Sequence, residues 1–436
     1  MKLRLLRYWE QIRTSFWFVP GLLALAGLSL ALIMPWFEHF FPLLGLSDFA
    51  FDPGRQALAI IASGAISVTG VVFSITLVVL NMAASQLGPR LVRNFMAEGT
   101  TQWILGAFLA TFIYCLIAGV NMQQHRPFQL TLLVGLLAGI FSFMLLILFI
   151  HHVSVYIQIP RVLERVGCEL KAHLRALFPP LEDASMAEPS LAHQHQLKKK
   201  LMDVAAPASG YVQGIDLDQL LNLASCHGGF IRLCYRPGHY LIEGCTLARV
   251  WVREEHKSAL IAGLHDAVLT GSERTAIQDP EFAVHQLVEV ALRALSPGIN
   301  DPYTALHCLN KLADALALLS TRQVGLTYCY DERRILRLEL YPYSYGGIVD
   351  AAFQQIRQSA LGNAAVVIHM VDVMHQLSQL ALPEALRHTL LMQLETLHQE
   401  NKSRLSPLDL AALSRRVSQV QLALRSRPEG GRLNKP

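Results

Sequence analysis

The sequence predicts an α-helical membrane protein: four transmembrane helices, then a cytoplasmic α+β domain made of a small β module and a mainly helical C-terminal region. Three observations predict it. Four long apolar segments crowd residues 1–150, and none follows in the rest of the 436-residue chain. Charged residues make up only 16% of the chain and the mean hydropathy is +0.34, both driven by that N-terminal third. Basic residues gather on one side of the apolar segments.

The apolar segments run over 16–36, 57–84, 103–120 and 130–150. Each is near or above the ~18–20 residues that a helix needs to cross a ~30 Å hydrocarbon core. The first follows a basic start (Lys2, Arg4, Arg7, Arg13), but it is too long for a signal peptide and lacks a small-residue cleavage site, so it reads as a retained helix. Lys2, Arg4, Arg7 and Arg13 precede the first segment, Arg90 and Arg93 separate the second from the third, and Arg161, Arg165 and Lys171 follow the fourth. The opposite loops carry Glu38, Asp48 and Asp52 with Arg55, and Arg126 alone. The positive-inside rule then places both termini on the cytoplasmic side. Tyr8, Trp17, Trp36 and Trp103 stand at segment ends, where amphipathic rings meet headgroups.

No Asp, Glu, Lys or Arg lies inside an apolar core. A mid-membrane charge costs at least ~3 kcal/mol and usually has a task, so its absence argues against a proton-coupled transporter. The second segment is the longest. It opens on Asp52-Pro53, an N-cap followed by a proline pre-set for the first turn. Ser63, Ser67, Gly70, Ser74, Asn81 and Ser85 recur along it at three-, four- and seven-residue steps, which puts them on one face. Such a stripe either lets helices pack closely or lines a wetted pore. In an oligomer Arg90 and Arg93, just beyond, form basic rings that favour anions.

Residues 151–208 read as a polar helix (161–177) and a proline-broken linker holding His193, His195 and three lysines. Residues 209–256 read as a small β module, with strands at 209–215, 230–235, 240–242 and 247–251 and a short helix at 217–224. Its glycine spacing resembles the barrel-sandwich modules of biotinyl and lipoyl carriers. The lysine that such carriers modify has no counterpart, since 209–251 contains none, so a structural adaptor is the reading.

Residues 257–436 read as helical. Helices are expected at 257–270, 281–295, 302–320, 347–360, 363–380, 384–401 and 408–425, with a hairpin at 327–330 and 334–340. Asp279-Pro280 and Asp301-Pro302 each supply a capping oxygen and a proline at the first helical position. His369 and Asp372 share a helical face near His375, but a metal would need a third convergent ligand, so no metal site is assigned. The seven cysteines form no C-x-x-C pair and read as free thiols of a reducing compartment. A net charge of +4 argues against nucleic acid, and no phosphate-binding or dinucleotide fingerprint appears, so no cofactor is assigned.

Several strings carry a family resemblance: Glu273-Arg274-Thr275-Ala276-Ile277-Gln278-Asp279-Pro280; Gln286-Leu287-Val288-Glu289; and Arg293 through Ser296-Pro297-Gly298-Ile299-Asn300-Asp301-Pro302 to Ala305. Ser85 to Arg90, Ser209 to Gln213, Arg236-Pro237-Gly238, Tyr345 and Asp350 to Arg357 add to it. The chain resembles the bacterial membrane proteins catalogued as domain of unknown function 2254. The resemblance spans nearly the whole chain and implies a four-helix membrane unit with a cytoplasmic domain. It implies no activity.

Within these strings Arg274, Gln278, Asp279, Glu289, Arg293, Asn300 and Asp301 form a candidate ligand site, in which both charge signs and a helix N-terminus could hold an anion. The opposing reading makes 296–301 a helix–helix corner. Three functions compete: a homo-oligomeric, anion-preferring channel whose cytoplasmic domain forms a gate or vestibule; a membrane-anchored sensor or scaffold; and a membrane-associated enzyme. The first is the expectation carried forward. Its partners are the lipid bilayer, further copies of the chain and a small ion or anionic ligand.

Overall fold

In a computed structural model, residues 15, 17–40, 51–88, 99–122, 129–156, 158–181, 200–276, 278–325 and 327–426 are described. The chain forms two compact units, Lys2–Arg161 and Val162–Pro436.

The first unit is a bundle of four apolar helices, α1 (Phe18–Phe40), α2 (Phe51–Leu87), α3 (Gly99–Asn121) and α4 (Gln129–Tyr156), each long and apolar enough to cross a membrane. Helix α3 is the central one: 44% of its span is buried, against 17% for α4. Small residues let its neighbours approach. A Cβ on Gly27 of α1 would lie 2.5 Å from the Ala110 carbonyl oxygen, and one on Gly106 of α3 would lie 3.0 Å from the Pro20 Cα. Backbones meet there, as in other small-residue helix pairs. Gly139 of α4 likewise faces Ile61 of α2.

Several polar groups inside the bundle are paired across helices, while the Nδ1 atom of His152 on α4 is buried and makes no hydrogen bond. Thr111 and Ser142 share a 2.9 Å hydrogen bond between α3 and α4. Tyr114 donates to the Thr131 carbonyl at 2.9 Å. Glu38, expected in a loop, belongs to α1 and is 2% exposed. Its carboxylate accepts from the Leu130 N–H at 2.7 Å and from the Thr131 hydroxyl at 2.7 Å. It thereby caps the open N-terminus of α4 from another helix, where a negative charge also suits the helix dipole. Trp17, Trp36 and Trp103 are 72%, 65% and 57% exposed, as rings at a headgroup belt must be. Tyr8 lies outside the described residues.

The second unit begins within helix α5 (Ile159–Leu177), whose apolar face Val162, Leu163, Val166, Leu170 and Leu174 is buried. Its strands and helices then run β1 (Met202–Ala205), β2 (Gly210–Ile215), α6 (Leu217–Cys226), β3 (Phe230–Leu233), β4 (Tyr240–Leu241), β5 (Thr246–Trp251), α7 (Lys257–Ala267), β6 (Val268–Gly271), α8 (Pro280–Ala294), α9 (Pro302–Leu319), β7 (Tyr328–Tyr330), β8 (Leu336–Glu339), α10 (Tyr345–Ser359), α11 (Ala364–Ser378), α12 (Glu384–Asn401) and α13 (Pro407–Arg425).

Two sheets form, in the orders β1-β5-β3-β8-β7 and β4-β2-β6. Two strands differ from the expectation. Strand β1 lies at the end of the expected linker and pairs with β5. Helix α7 stops at Ala267, and Val268–Gly271 pairs with β2 instead of continuing the helix. The strands between 209 and 251 therefore do not close on themselves. Their open edges are covered by β1, by β6 and by β8, which pairs with β3 in parallel. A lone hairpin set leaves unpaired backbone edges, and recruiting distant strands removes them. Val212, Ile231, Leu241 and Val250 pack with Leu220 of α6, Leu264 of α7 and Leu338 of β8 as one core.

The helical caps follow the sequence. Asp279, Asp301, Ser344, Asn363 and Ser406 each accept a hydrogen bond from the N–H three residues on. Between α10 and α12 a buried polar lock forms: Arg357 donates to Gln393 at 3.1 Å and pairs with Glu400, while Gln393 donates to Asp350 at 2.7 Å.

Gly27→Ala is expected to destabilise the bundle by about 1–3 kcal/mol, because a backbone carbonyl cannot move aside for the new methyl. Gly70→Ala, where nothing lies within 4 Å, should leave the monomer as stable or more stable by up to about 1 kcal/mol, since alanine suits a helix interior better. Glu38→Ala should cost about 1 kcal/mol or more by leaving the first turn of α4 uncapped. Thermal unfolding in detergent checks all three.

Candidate functional site

Helix α2 is 37 residues long, about 55 Å at 1.5 Å per residue, and exceeds a hydrocarbon core. Leu58, Ala62, Ala65, Thr69, Val72 and Ala83 form its buried face. Ser63, Ser67, Gly70, Ser74, Asn81 and Ser85 are all exposed. At about 100° per residue this stripe lies nearly opposite the buried face. It therefore takes no part in packing the chain's own bundle.

Three of the four serines pay little for this position. Ser63 donates to the Ile60 carbonyl at 3.0 Å, Ser67 to Ser63 at 2.8 Å and Ser85 to Met82 at 2.8 Å. Such back-bonding is open to a short hydroxyl. The Ser74 hydroxyl and the Asn81 side-chain amide are different: neither has a hydrogen-bond partner among the described residues. Large apolar side chains, including Ile60, Ile66, Leu77 and Val78, are exposed on either side of the stripe. Arg90 and Arg93 lie outside the described residues.

The second candidate divides into separate places. Arg274, Gln278 and Asp279 gather at the start of α8. One carboxylate oxygen of Asp279 caps the helix, accepting from the Phe282 N–H at 3.3 Å. The other takes Arg274 Nε at 2.8 Å and Nη2 at 2.6 Å. Gln278 clasps the end of β2 like an extra strand, accepting from the Ile215 N–H at 2.8 Å and donating to its carbonyl at 3.2 Å. Glu289 lies ten residues beyond Asp279, about 15 Å along the helix, with Arg293 one turn further. Asn300 and Asp301 sit past its far end. The seven do not converge on one pocket.

Asn300 and Asp301 build a corner. Asn300 has φ of 48° and its N–H donates to the Ser296 carbonyl at 2.9 Å. Asp301 accepts from the Thr304 N–H at 3.2 Å and from its hydroxyl at 2.6 Å. His369 and Asp372 also part company, His369 to Asn310 at 2.7 Å and Asp372 to Arg416 at 3.0 Å.

Sequence reasoning missed four residues at the Arg274–Asp279 cluster. Arg236 donates to Glu281 at 2.8 Å and lies 4.2 Å over the Tyr343 ring. Tyr343 donates to the Gln278 carbonyl at 2.8 Å. Gly238, with φ of +92°, lies against the Asp279 carboxylate, where a Cβ has no room. The Arg236-Pro237-Gly238 turn was the available signal, but its distance from Asp279 in the chain hid the contact. Burial pushes the Asp279 carboxyl above the usual carboxylate range, and the Arg274 guanidinium pulls it part of the way back. Burial, with Arg236 beside it, holds the His239 imidazole below its usual value. The two guanidiniums and two carboxylates pair with one another, as in a structural lock between β module and helices, but Arg236 Nε and Nη1 are buried there without a hydrogen-bond partner.

The family model described as "Predicted membrane protein (DUF2254)" matches residues 13–376, and the chain belongs to that family. Curated relatives include an uncharacterized protein of Mycobacterium bovis and another of Mycobacterium tuberculosis, each 28% identical over 342 residues. Those matches cover 76% of this chain, and the chain spans only about two thirds (65%) of the length of those relatives. No solved structure matches.

Arg274→Met should lower stability at neutral pH by about 3–5 kcal/mol, since it leaves a buried carboxylate unpaired. The loss should shrink as pH falls. A carboxyl whose folded pKa is raised contributes stability below the unfolded carboxylate range and loses it as pH rises through the raised value. Without Arg274 the raised value climbs further, so the penalty is felt only above it. Thermal unfolding of the full chain at neutral and mildly acidic pH reads this directly.

Proposed function

We propose, on the premise that the chain is a membrane protein of this family, that copies of it assemble into a pore lined by α2. One observation carries the reading: the Ser63–Ser67–Gly70–Ser74–Asn81 face points away from its own bundle, and the Asn81 amide lacks a partner there. In hydrocarbon an unpaired amide is costly, so a second copy or pore water must satisfy it. The three-, four- and seven-residue steps suit packing at about +20° between helices of neighbouring copies. The lining would be hydroxyl and amide, with Arg90 and Arg93 as basic rings at its mouth, and it would prefer small anions.

The distribution of basic residues supports an inner-membrane orientation with both termini cytoplasmic. The second unit would then serve as the cytoplasmic gate or vestibule. An enzyme at Arg274–Asp301 has less support, because Arg274 and Asp279 bind each other and the remaining residues lie elsewhere.

The test is purified full-length protein in planar bilayers and in nanodiscs. A defined oligomer by native mass spectrometry, with anion conductance, is expected. Gly70→Trp should abolish conductance while leaving the bundle folded, and Asn81→Leu should weaken the oligomer. A strictly monomeric protein with no flux ends this reading.

A further inference from the structure

The corner between α8 and α9 is the most distinctive string of the chain, yet much of it is used by nothing within its own unit. Ile299 is 47% exposed and Tyr303 74% exposed. A Cβ added to Gly298 would meet nothing within 4 Å. The backbone hydrogen bonds of 296–304 hold these side chains outward. The corner's internal geometry explains Ser296, Asn300 and Asp301. It does not explain an exposed isoleucine and an exposed tyrosine side by side.

Their place in the unit does. Helices α5 and α9 run in the same direction, as contacts at three levels show. Glu164 pairs with Lys311, whose stem also meets Gly167. Lys171 pairs with Asp314 at 3.6 Å. At the far end the Arg322 guanidinium donates to the Phe178 carbonyl and the Gln323 N–H to the Pro179 carbonyl. Pro302 lies nine residues before Lys311, and Ile159 lies five before Glu164 and eight before Gly167. At 1.5 Å per residue the start of α9 is therefore level with the start of α5, or a few ångströms beyond it. The start of α5 is tied to the bilayer by covalent chain: α4 ends at Tyr156, and only residues 157 and 158 separate it from Ile159. Three residues of chain reach about 10 Å at most.

We propose that the corner at 296–303 is a membrane-interface contact, with Ile299 and Tyr303 seated among the headgroups of the leaflet from which the chain emerges. The occupant of this exposed surface is lipid. An isoleucine reaches the acyl boundary, while a tyrosine keeps its hydroxyl at headgroup level with its ring below. Arg161, on the first turn of α5 at the same end of the unit, is exposed and adds attraction for anionic headgroups. This contact is independent of the pore reading; either can fail while the other stands.

The experiment uses the full chain in nanodiscs of phosphatidylethanolamine and phosphatidylglycerol. The exposed thiols Cys168, Cys226 and Cys245 are first replaced by serine. A spin label is then placed by Ile299→Cys, by Tyr303→Cys and, as a reporter with no packing to disturb, by Gly298→Cys. Leu408→Cys, at an 81% exposed position on α13, is the comparison. Collision with dissolved oxygen, which partitions into lipid, should exceed collision with a nickel chelate several-fold at 298, 299 and 303, and the order should reverse at 408. Two results overturn the proposal. Nickel accessibility at the corner equal to that at 408 means that it faces water. Low collision with both reagents means that protein, such as a second copy, covers it.

Discussion

The constraint on which the rest of this structure depends is that a bilayer core offers no hydrogen-bond partner. Every polar group at membrane depth must be satisfied by the chain or by something the chain recruits. The four apolar helices obey it in three ways. Charges are left out of their cores. Hydroxyls bond back to their own helix, as Ser63 and Ser67 do, or across to another, as Thr111 and Ser142 do. The one buried carboxylate among the described residues of the bundle, Glu38, is used at a helix end, where the first N–H groups of α4 would otherwise be exposed. Among the described residues Ser74 and Asn81 of α2 are exceptions, and exceptions to so expensive a rule are where assembly or function is to be sought.

The second unit is organised by a different economy. Here water is at hand, and polar groups are buried only where they join distant segments. Asp279 does two things at once, capping α8 with one oxygen and holding Arg274 with the other. Gly238 permits the Arg236 turn to reach it, and Tyr343 closes the cluster by bonding the carbonyl of Gln278. The Asp350–Gln393–Arg357–Glu400 lock plays the same part between α10 and α12. Both clusters specify one arrangement of helices, because half-satisfied versions of them would leave buried charges unpaired.

The α8–α9 corner and the α2 stripe share a physical signature. Each is a set of side chains whose identity the chain's own packing does not require. Gly27 and Gly106 are needed for backbone approach, and their reason is visible in the bundle. Ser67, Gly70, Ile299 and Tyr303 have no such internal reason. Residues of this second kind point away from the packing of their own unit, and on them rest the proposed assembly in one case and the proposed lipid contact in the other.

The amino-acid sequence by itself determined the four spans, the charge-free cores, the family and the helix starts at Asp279, Asp301 and Ser406. Length, hydropathy and capping are local properties, and a local pattern is enough to read them. It also marked the residues of both candidate sites. Tertiary structure decided what those residues do. It divided the seven of the second candidate between a lock, two residues in the later turns of α8 and a corner, because a 15-residue helix holds its two ends about 20 Å apart whatever their sequence proximity. It joined Arg236, Gly238 and Tyr343 to Asp279, and recruited β1, β6 and β8 to sheets begun elsewhere. It turned the serine stripe of α2 outward. A periodic stripe defines a face, but only packing selects which face the bundle buries, and here the alanines and leucines of the opposite face buried more apolar surface.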